Sequence, residues 1–234
     1  MKQLSSKNKR ILVFSDPHQE IDRVENIIQK EAADEIVCLG DWFDSHHYNS
    51  IEDARKTIEF LKKNISNPDF YTLIGNHDVG YLYEVTRYTQ CSGFSNKKKI
   101  EVERSFGSAY EYIRSQFNWY IWIDDVLCTH AGLNQNHIWP VGVETDMKSL
   151  SAFLDKAIED AQVALLNGDQ HWIFSAGVAR GGRQPKGGIT WQDFYDEHRP
   201  IEGLKQLFGH THSWDNTIKT FNKFSDTCID TGLN

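Results

Sequence analysis

Five short stretches carry side chains that could do chemistry together. They are Asp16-Pro17-His18, Gly40-Asp41-Trp42-Phe43-Asp44, Gly75-Asn76-His77-Asp78, His130-Ala131-Gly132 and Gly209-His210-Thr211-His212. Singly, each is weak: a D-x-H turn is commonly a cap, and histidine or asparagine beside glycine occurs in ordinary tight turns. Jointly, Asp16, His18, Asp41, Asn76, His130, His210 and His212 offer three oxygen donors and four imidazoles, with no sulfur. That set suits Mn²⁺, Fe or Zn²⁺ and not a soft-metal cluster. Seven donors are too many for one zinc-like ion. A two-metal site would use them all if one carboxylate bridges. Asp41 is the expected bridge, because an anion between two cations offsets their repulsion.

The elements that must position these residues can be read from the apolar pattern. Residues 11–15 read as a buried strand that ends at Asp16, where Pro17 stops any helix and holds its neighbours extended. Residues 36–39 lead into Gly40, and residues 70–74 into Gly75. Amphipathic helices are expected over 20–31, 51–63 and 146–166, the last stopped by Asn167-Gly168. The repeat of strand, polar turn and helix implies an α/β chain with a largely parallel sheet, with ligands beyond the carboxyl ends of its strands. Residues 119–123 and 126–129 read as a hairpin around Asp124-Asp125, whose second strand delivers His130. Residues 204–208 lead to Gly209, and residues 217–221 and 227–230 are further strand candidates. The region from Tyr81 to Asn118 breaks the rhythm and reads as irregular or helical cover. Its tyrosines read as packing, and its Lys97-Lys98-Lys99 run as a solvated face.

With 234 residues, 39% of them hydrophobic, the chain can bury a sizeable core, and it reads as one domain over residues 1–234. A formal net charge of -8 argues against general binding to nucleic acid or an anionic membrane. No run is long and apolar enough to cross a bilayer. Cys38, Cys91, Cys128 and Cys228 form no CxxC pair and read as small core residues of a reducing compartment, so a cytoplasmic setting is expected.

The five blocks, in this order and spanning nearly the whole chain, resemble the calcineurin-like metallophosphoesterase family. The resemblance implies a four-layer α/β/β/α sandwich with two mixed β-sheets. It would place Asp16, His18, Asp41 and His212 on one metal and Asp41, Asn76, His130 and His210 on the other. It also implies two divalent ions, Mn²⁺ first, with Fe, Zn²⁺ or Ni²⁺ as alternatives. Such ions acidify a bridging water, and the resulting hydroxide would attack phosphorus in line. His77 is placed to protonate the leaving alkoxide. Asp44 resembles the family's orienting carboxylate, and Asp78 competes with it for the His77 ring.

Thr129-His130-Ala131-Gly132, the segment from Arg180 to Trp191 and Gly209-His210-Thr211-His212 resemble the protein-phosphatase and diadenosine-tetraphosphatase branch. That branch has an arginine and a glycine after the Asp44 block, where this chain has Ser45-His46-His47. Arg180 or Arg183 is expected to supply the missing guanidinium, since an arginine fork grips phosphate in two places. His46 and His47 are further pocket candidates, while His137, His171 and His198 read as surface or packing residues. A metal-dependent phosphomonoesterase acting on a phosphoprotein or small phosphate ester is the leading function. A phosphodiesterase or nuclease, and a non-catalytic scaffold, are the alternatives; the oligomeric state is not fixed by the sequence. The resemblance also implies a further strand after Asp230 to Asn234, so the chain ends early or is a piece of a longer one.

Overall fold

The computed structural model describes residues 2–45, 49–213, 219–221 and 226–231. Four strands, β2 (Ile11–Phe14), β3 (Glu35–Cys38), β4 (Phe70–Leu73) and β5 (Phe117–Asn118), form one sheet in that spatial order. Every pairing in it is parallel. The second sheet runs β1-β6-β7-β8-β10-β9, with β1 (Gln3–Leu4), β6 (Tyr120–Ile123), β7 (Val126–Thr129), β8 (Lys205–Phe208), β9 (Lys219–Phe221) and β10 (Asp226–Cys228). It mixes parallel pairings with the antiparallel β6–β7 and β10–β9 pairs. The two-sheet α/β architecture expected from the sequence is therefore what the chain adopts. The refinement is that one sheet mixes directions and the other, in its described strands, does not.

The sheets face each other across a narrow apolar layer. Val37, Leu39 and Leu73 from one side meet Leu4, Ile121 and Cys128 from the other, all buried. Strands covered on both faces read as continuous apolar runs, which is why residues 11–14 and 70–73 do not alternate. Helices cover the outer faces. On the four-stranded side, α1 (Ile21–Glu31) and α2 (Ile51–Asn64) bury Ile21, Val24, Ile58 and Leu61. A capping box fixes the start of α2: Ser50 Oγ accepts from the Asp53 N–H, and the Asp53 carboxylate accepts from the Ser50 N–H. On the six-stranded side, α7 (Met147–Asn167) turns Leu150, Leu154, Ala161 and Leu165 inward. It is pinned by the Trp122 indole donating to Ser151 Oγ at 3.0 Å and the Tyr120 hydroxyl donating to Asp155 at 2.6 Å.

Three shorter helices, α3 (Asn76–Leu82), α4 (Asn96–Phe106) and α5 (Tyr110–Gln116), fill the region between β4 and β5. A one-turn helix, α6 (Gln135–Ile138), follows β7. The solvated lysine face expected over 97–99 is not what forms. Lys97 is exposed, but Lys98 and Lys99 are buried beneath α4. Lys99 Nζ donates to the Tyr81 and Tyr83 carbonyls at 2.9 and 3.0 Å, satisfying acceptors that the end of α3 leaves open. Three lysines in a row look solvated by composition; a helix sends consecutive side chains 100° apart, so two of them point down. The strand candidate over 217–221 is described only as β9, and His46 and His47 lie outside the described residues. No helix among the described residues is long and apolar enough to cross a membrane.

Candidate metal centre

The expected ligands converge where the carboxyl ends of the strands meet. Asp16 follows β2, Asp41 follows β3, Asn76 follows β4, His130 follows β7 and His210 follows β8. Both sheets contribute, so the site straddles them. Two triads of candidate ligand atoms form, Asp16–His18–Asp41 and Asp41–His130–His210, and Asp41 belongs to both. Asp41, the residue expected to be shared, is the one carboxylate common to both triads.

The turns are laced to one another through the backbone. Asp16 Oδ2 accepts from the His210 N–H at 3.0 Å and also from the Ser15 hydroxyl. Asp41 Oδ1 accepts from the His77 N–H at 2.9 Å, and the His18 N–H donates to the Asp41 carbonyl at 2.9 Å. The backbone there is strained. Asp16, His18, Asp41, Asp44 and His210 have φ of 53°, 42°, 66°, 62° and 68°, in the left-handed region that side chains avoid. Each such residue costs on the order of 1–3 kcal/mol and persists only where its surroundings enforce it. Gly75 shows how tightly: a Cβ there would meet Asp41 Oδ1 at 2.1 Å. In the Asp16 turn, Asp16 and Pro17 are buried and His18 is half-buried.

Each ring is aimed by its outer nitrogen. His18 Nδ1 lies 2.8 Å from the Asp44 carbonyl, and His130 Nδ1 2.9 Å from the Leu39 carbonyl. Anchoring at Nδ1 turns each Nε2 toward the ligand cluster. His18 Nε2 sits 3.7 Å from Asp41 Oδ2 and 3.9 Å from Asp16 Oδ1. His130 Nε2 sits 3.4 Å from Asp41 Oδ2 and 3.2 Å from His210 Nδ1. The outer end of the Asn76 amide faces the same three atoms, at 2.9 Å from His210 Nδ1, 3.0 Å from His130 Nε2 and 3.3 Å from Asp41 Oδ2. With its NH₂ turned there it donates to His210 Nδ1 and Asp41 Oδ2. With its oxygen there, two nitrogens and two oxygens point at one another, an arrangement that a cation satisfies. The donor set therefore fits a divalent metal. His212, two residues past His210, is half-buried and falls outside both triads.

Buried charges shift the titration of these groups. Burial pushes Asp41 up, but the His130 and His77 charges outweigh it and hold the carboxylate well below its usual range. Burial pulls His130 down, and Asp41 overrides it, bringing the ring up to about 10. His77 is also raised, against the pull of burial, by Asp41 and by its bond to Asp44. His210 moves the other way, driven down by burial and by the charge of His130.

Of the two partners open to His77, the ring takes Asp44: Nδ1 lies 3.3 Å from Asp44 Oδ2. Asp78 is turned away and holds the turns together, accepting from the N–H groups of Asp41, Trp42 and Gly75 at 2.8–2.9 Å. Behind Asp44 stand two residues that the sequence reading did not assign to the site. The Tyr81 hydroxyl donates to Asp44 Oδ1 at 2.6 Å, and Lys98 Nζ forms a buried ion pair with the same oxygen. Oδ1 is thus occupied and Oδ2 is left to His77. The only sequence signal for Lys98 is its place at the third position of a helix that must cover the site.

Arg180 lies beside the ligand cluster. Its Nη2 donates to Thr211 Oγ1 at 3.0 Å, on the turn that carries His210, and its Nε pairs with Asp193 at 2.9 Å. Arg183 is exposed and shares with Arg180 the wall of a cavity of about 400 Å³. The four cysteines are free thiols: Cys38, Cys128 and Cys228 are core residues, while Cys91 is half-buried and donates to the Asn76 carbonyl.

A two-sheet α/β sandwich with two ligand triads around one aspartate defines a metal-site protein of the phosphoesterase type. The chain belongs to the calcineurin-like phosphoesterase family, whose model matches residues 9–214. Among solved structures it is similar to a cold-active protein-tyrosine phosphatase of a psychrophilic Shewanella species, at 15% identity and a TM-score of 0.59, over 99% of this chain and 73% of that one. It is also similar to a protein serine/threonine phosphatase of Saccharomyces cerevisiae described as resembling human PP5, at 11% identity and a TM-score of 0.51, over 98% of this chain and 70% of that one. At such identities these likenesses speak to the fold. No curated protein matches the chain by sequence.

Proposed function

We propose that the protein is a phosphomonoesterase that works with two divalent cations, acting on a phosphoprotein or a small phosphate ester. The observation that carries this reading is the pair of triads sharing Asp41, with the His77–Asp44 pair beside them. Asp16, His18 and Asp41 would hold one cation, and Asp41, Asn76, His130 and His210 the other, with His212 as a candidate addition to the first. Mn²⁺ suits these oxygen and imidazole donors, and Fe, Zn²⁺ or Ni²⁺ are the alternatives. Bound cations would supply Lewis acidity toward a phosphoryl group and a water acidified to near neutral pH.

The chain's own residues do the rest. Asp41 and the bond to Asp44 raise His77 against the pull of burial, which favours its protonated form; with Nδ1 held by Asp44, the proton for a leaving group would come from Nε2. The Arg180 guanidinium, held by Asp193 and Thr211, would grip a phosphoryl oxygen. Both sheets supply ligands, so residues 1–234 work as one domain in this reading. The two phosphatases similar in fold carry names consistent with a phosphorylated substrate. Turnover of p-nitrophenyl phosphate by the Mn²⁺-loaded protein, set against its bis ester, tests the proposal. Faster hydrolysis of the monoester is expected; preference for the diester, or no hydrolysis of either with any of the four metals, would overturn it.

A further inference from the structure

The cavity beside the metal centre is walled by three arginines, Arg87, Arg180 and Arg183, together with Tyr88 and Trp191. No carboxylate is among its lining residues, in a chain of formal net charge -8. Arg180 is held by Asp193. Arg87 and Arg183 pair with no carboxylate among the described residues; Arg87 lies over the Tyr88 ring, 4.6 Å from its centroid. The cavity adjoins the cluster directly. The Trp191 ring meets the His210 ring edge-on at 5.6 Å, and Arg180 reaches the next residue of that turn.

Like charges gathered in one concavity repel unless an anion joins them, and a guanidinium fork suits carboxylate or phosphate. A volume of about 400 Å³ exceeds what one phosphoryl group needs. The Trp191 ring adds apolar wall on which an organic body can rest, and Tyr88 backs the Arg87 guanidinium. We propose that this cavity is a subsite for the leaving group, and that it selects phosphate monoesters whose leaving group carries a second anionic group. Arg180 serves the scissile phosphate, and Arg87 and Arg183 receive the second anion. The proposal rests on the phosphoesterase reading above and narrows its substrate class.

The test separates the two by using binding as well as turnover. Calorimetry on the Mn²⁺-loaded protein compares 4-carboxyphenylphosphonate with its carboxamide counterpart, neither of which can be hydrolysed. Turnover compares 4-carboxyphenyl phosphate with 4-carbamoylphenyl phosphate. The subsite predicts at least tenfold tighter binding, and at least tenfold higher kcat/KM, for the carboxylate member of each pair. In Arg87→Gln/Arg183→Gln both preferences fall to within twofold, and Arg87→Lys/Arg183→Lys recovers part of them. Wild-type preference below twofold in binding overturns the subsite and leaves the phosphoesterase reading standing. Preference retained in the Gln double variant also overturns it. Carboxylate-selective binding lost in that variant, with no turnover of any ester, supports the subsite while the hydrolase reading falls.

Discussion

Replacing Lys98 by methionine removes an ammonium from a buried ion pair and keeps a side chain of similar length. The Lys98 side chain is 1% exposed and its Asp44 partner 2%. At that depth solvent cannot replace the lost partner. Deleting one member of a buried pair costs about 3–5 kcal/mol, because the other is left as an uncompensated charge. For a domain of this size each kcal/mol moves the midpoint by about 2–4 °C, so a fall of about 6–20 °C follows. Urea and thermal denaturation of the metal-free protein measure it. Lys98→Met/Asp44→Asn leaves no unpaired charge and retains an acceptor for the Tyr81 hydroxyl, so it should recover most of the loss. Activity adds a second readout. With Oδ1 released, Asp44 no longer holds His77 Nδ1 in one place, so kcat falls while KM is nearly unchanged. A stability loss below about 1 kcal/mol, the value of a solvent-screened pair, would refute the reasoning.

Three further outcomes are expected. His77→Asn should keep its bound metal while turnover falls by roughly 10²–10⁴-fold; metal analysis with steady-state kinetics checks it, and an active variant removes the acid assignment. Gly75→Ala puts a methyl group 2.1 Å from Asp41 Oδ1, so it should lose metal affinity by at least tenfold, measured by titration against a chelator; affinity equal to wild type would mean the turns do not meet as described. His137 stacks on Trp172 at 4.3 Å, and burial, with Lys186 nearby, pulls its ring down to about 3 from an ordinary value near 6.5. The unfolded chain therefore binds a proton that the folded one refuses. Its contribution is intact above pH about 6.5 and is lost as pH falls toward 3. His137→Gln should flatten the fall of the urea midpoint across that range, and an unchanged slope would contradict the assignment.

Much of the fold was legible because each buried strand is an apolar run ended by a glycine or an acid turn. The boundaries of β2, β3, β4 and α2 lie within a residue of those read from pattern. The convergence of the polar blocks was legible for the same reason: side chains placed straight after buried parallel strands meet at one end of the sheets. What stayed hidden lies in the third dimension. Lys98 sits 54 positions from Asp44, and no local pattern links them. The choice between Asp44 and Asp78 needed the turn at Gly75, which aims Asp78 at backbone N–H groups. The short strand β1 escaped because two residues paired to β6 carry no periodicity. Arg180 and Arg183 were alternatives for the guanidinium that the resembled branch carries elsewhere, and only their surroundings separate the one held by Asp193 from the one with no carboxylate partner among the described residues.

Counting metal tests the central claim most directly. Protein saturated with Mn²⁺, freed of loosely held ion and analysed by plasma mass spectrometry should carry two ions per chain. Asp41→Asn should carry fewer than one, because both triads lose the same carboxylate. A wild-type chain that binds no more than one ion, or an Asp41→Asn variant that still holds two, would contradict it.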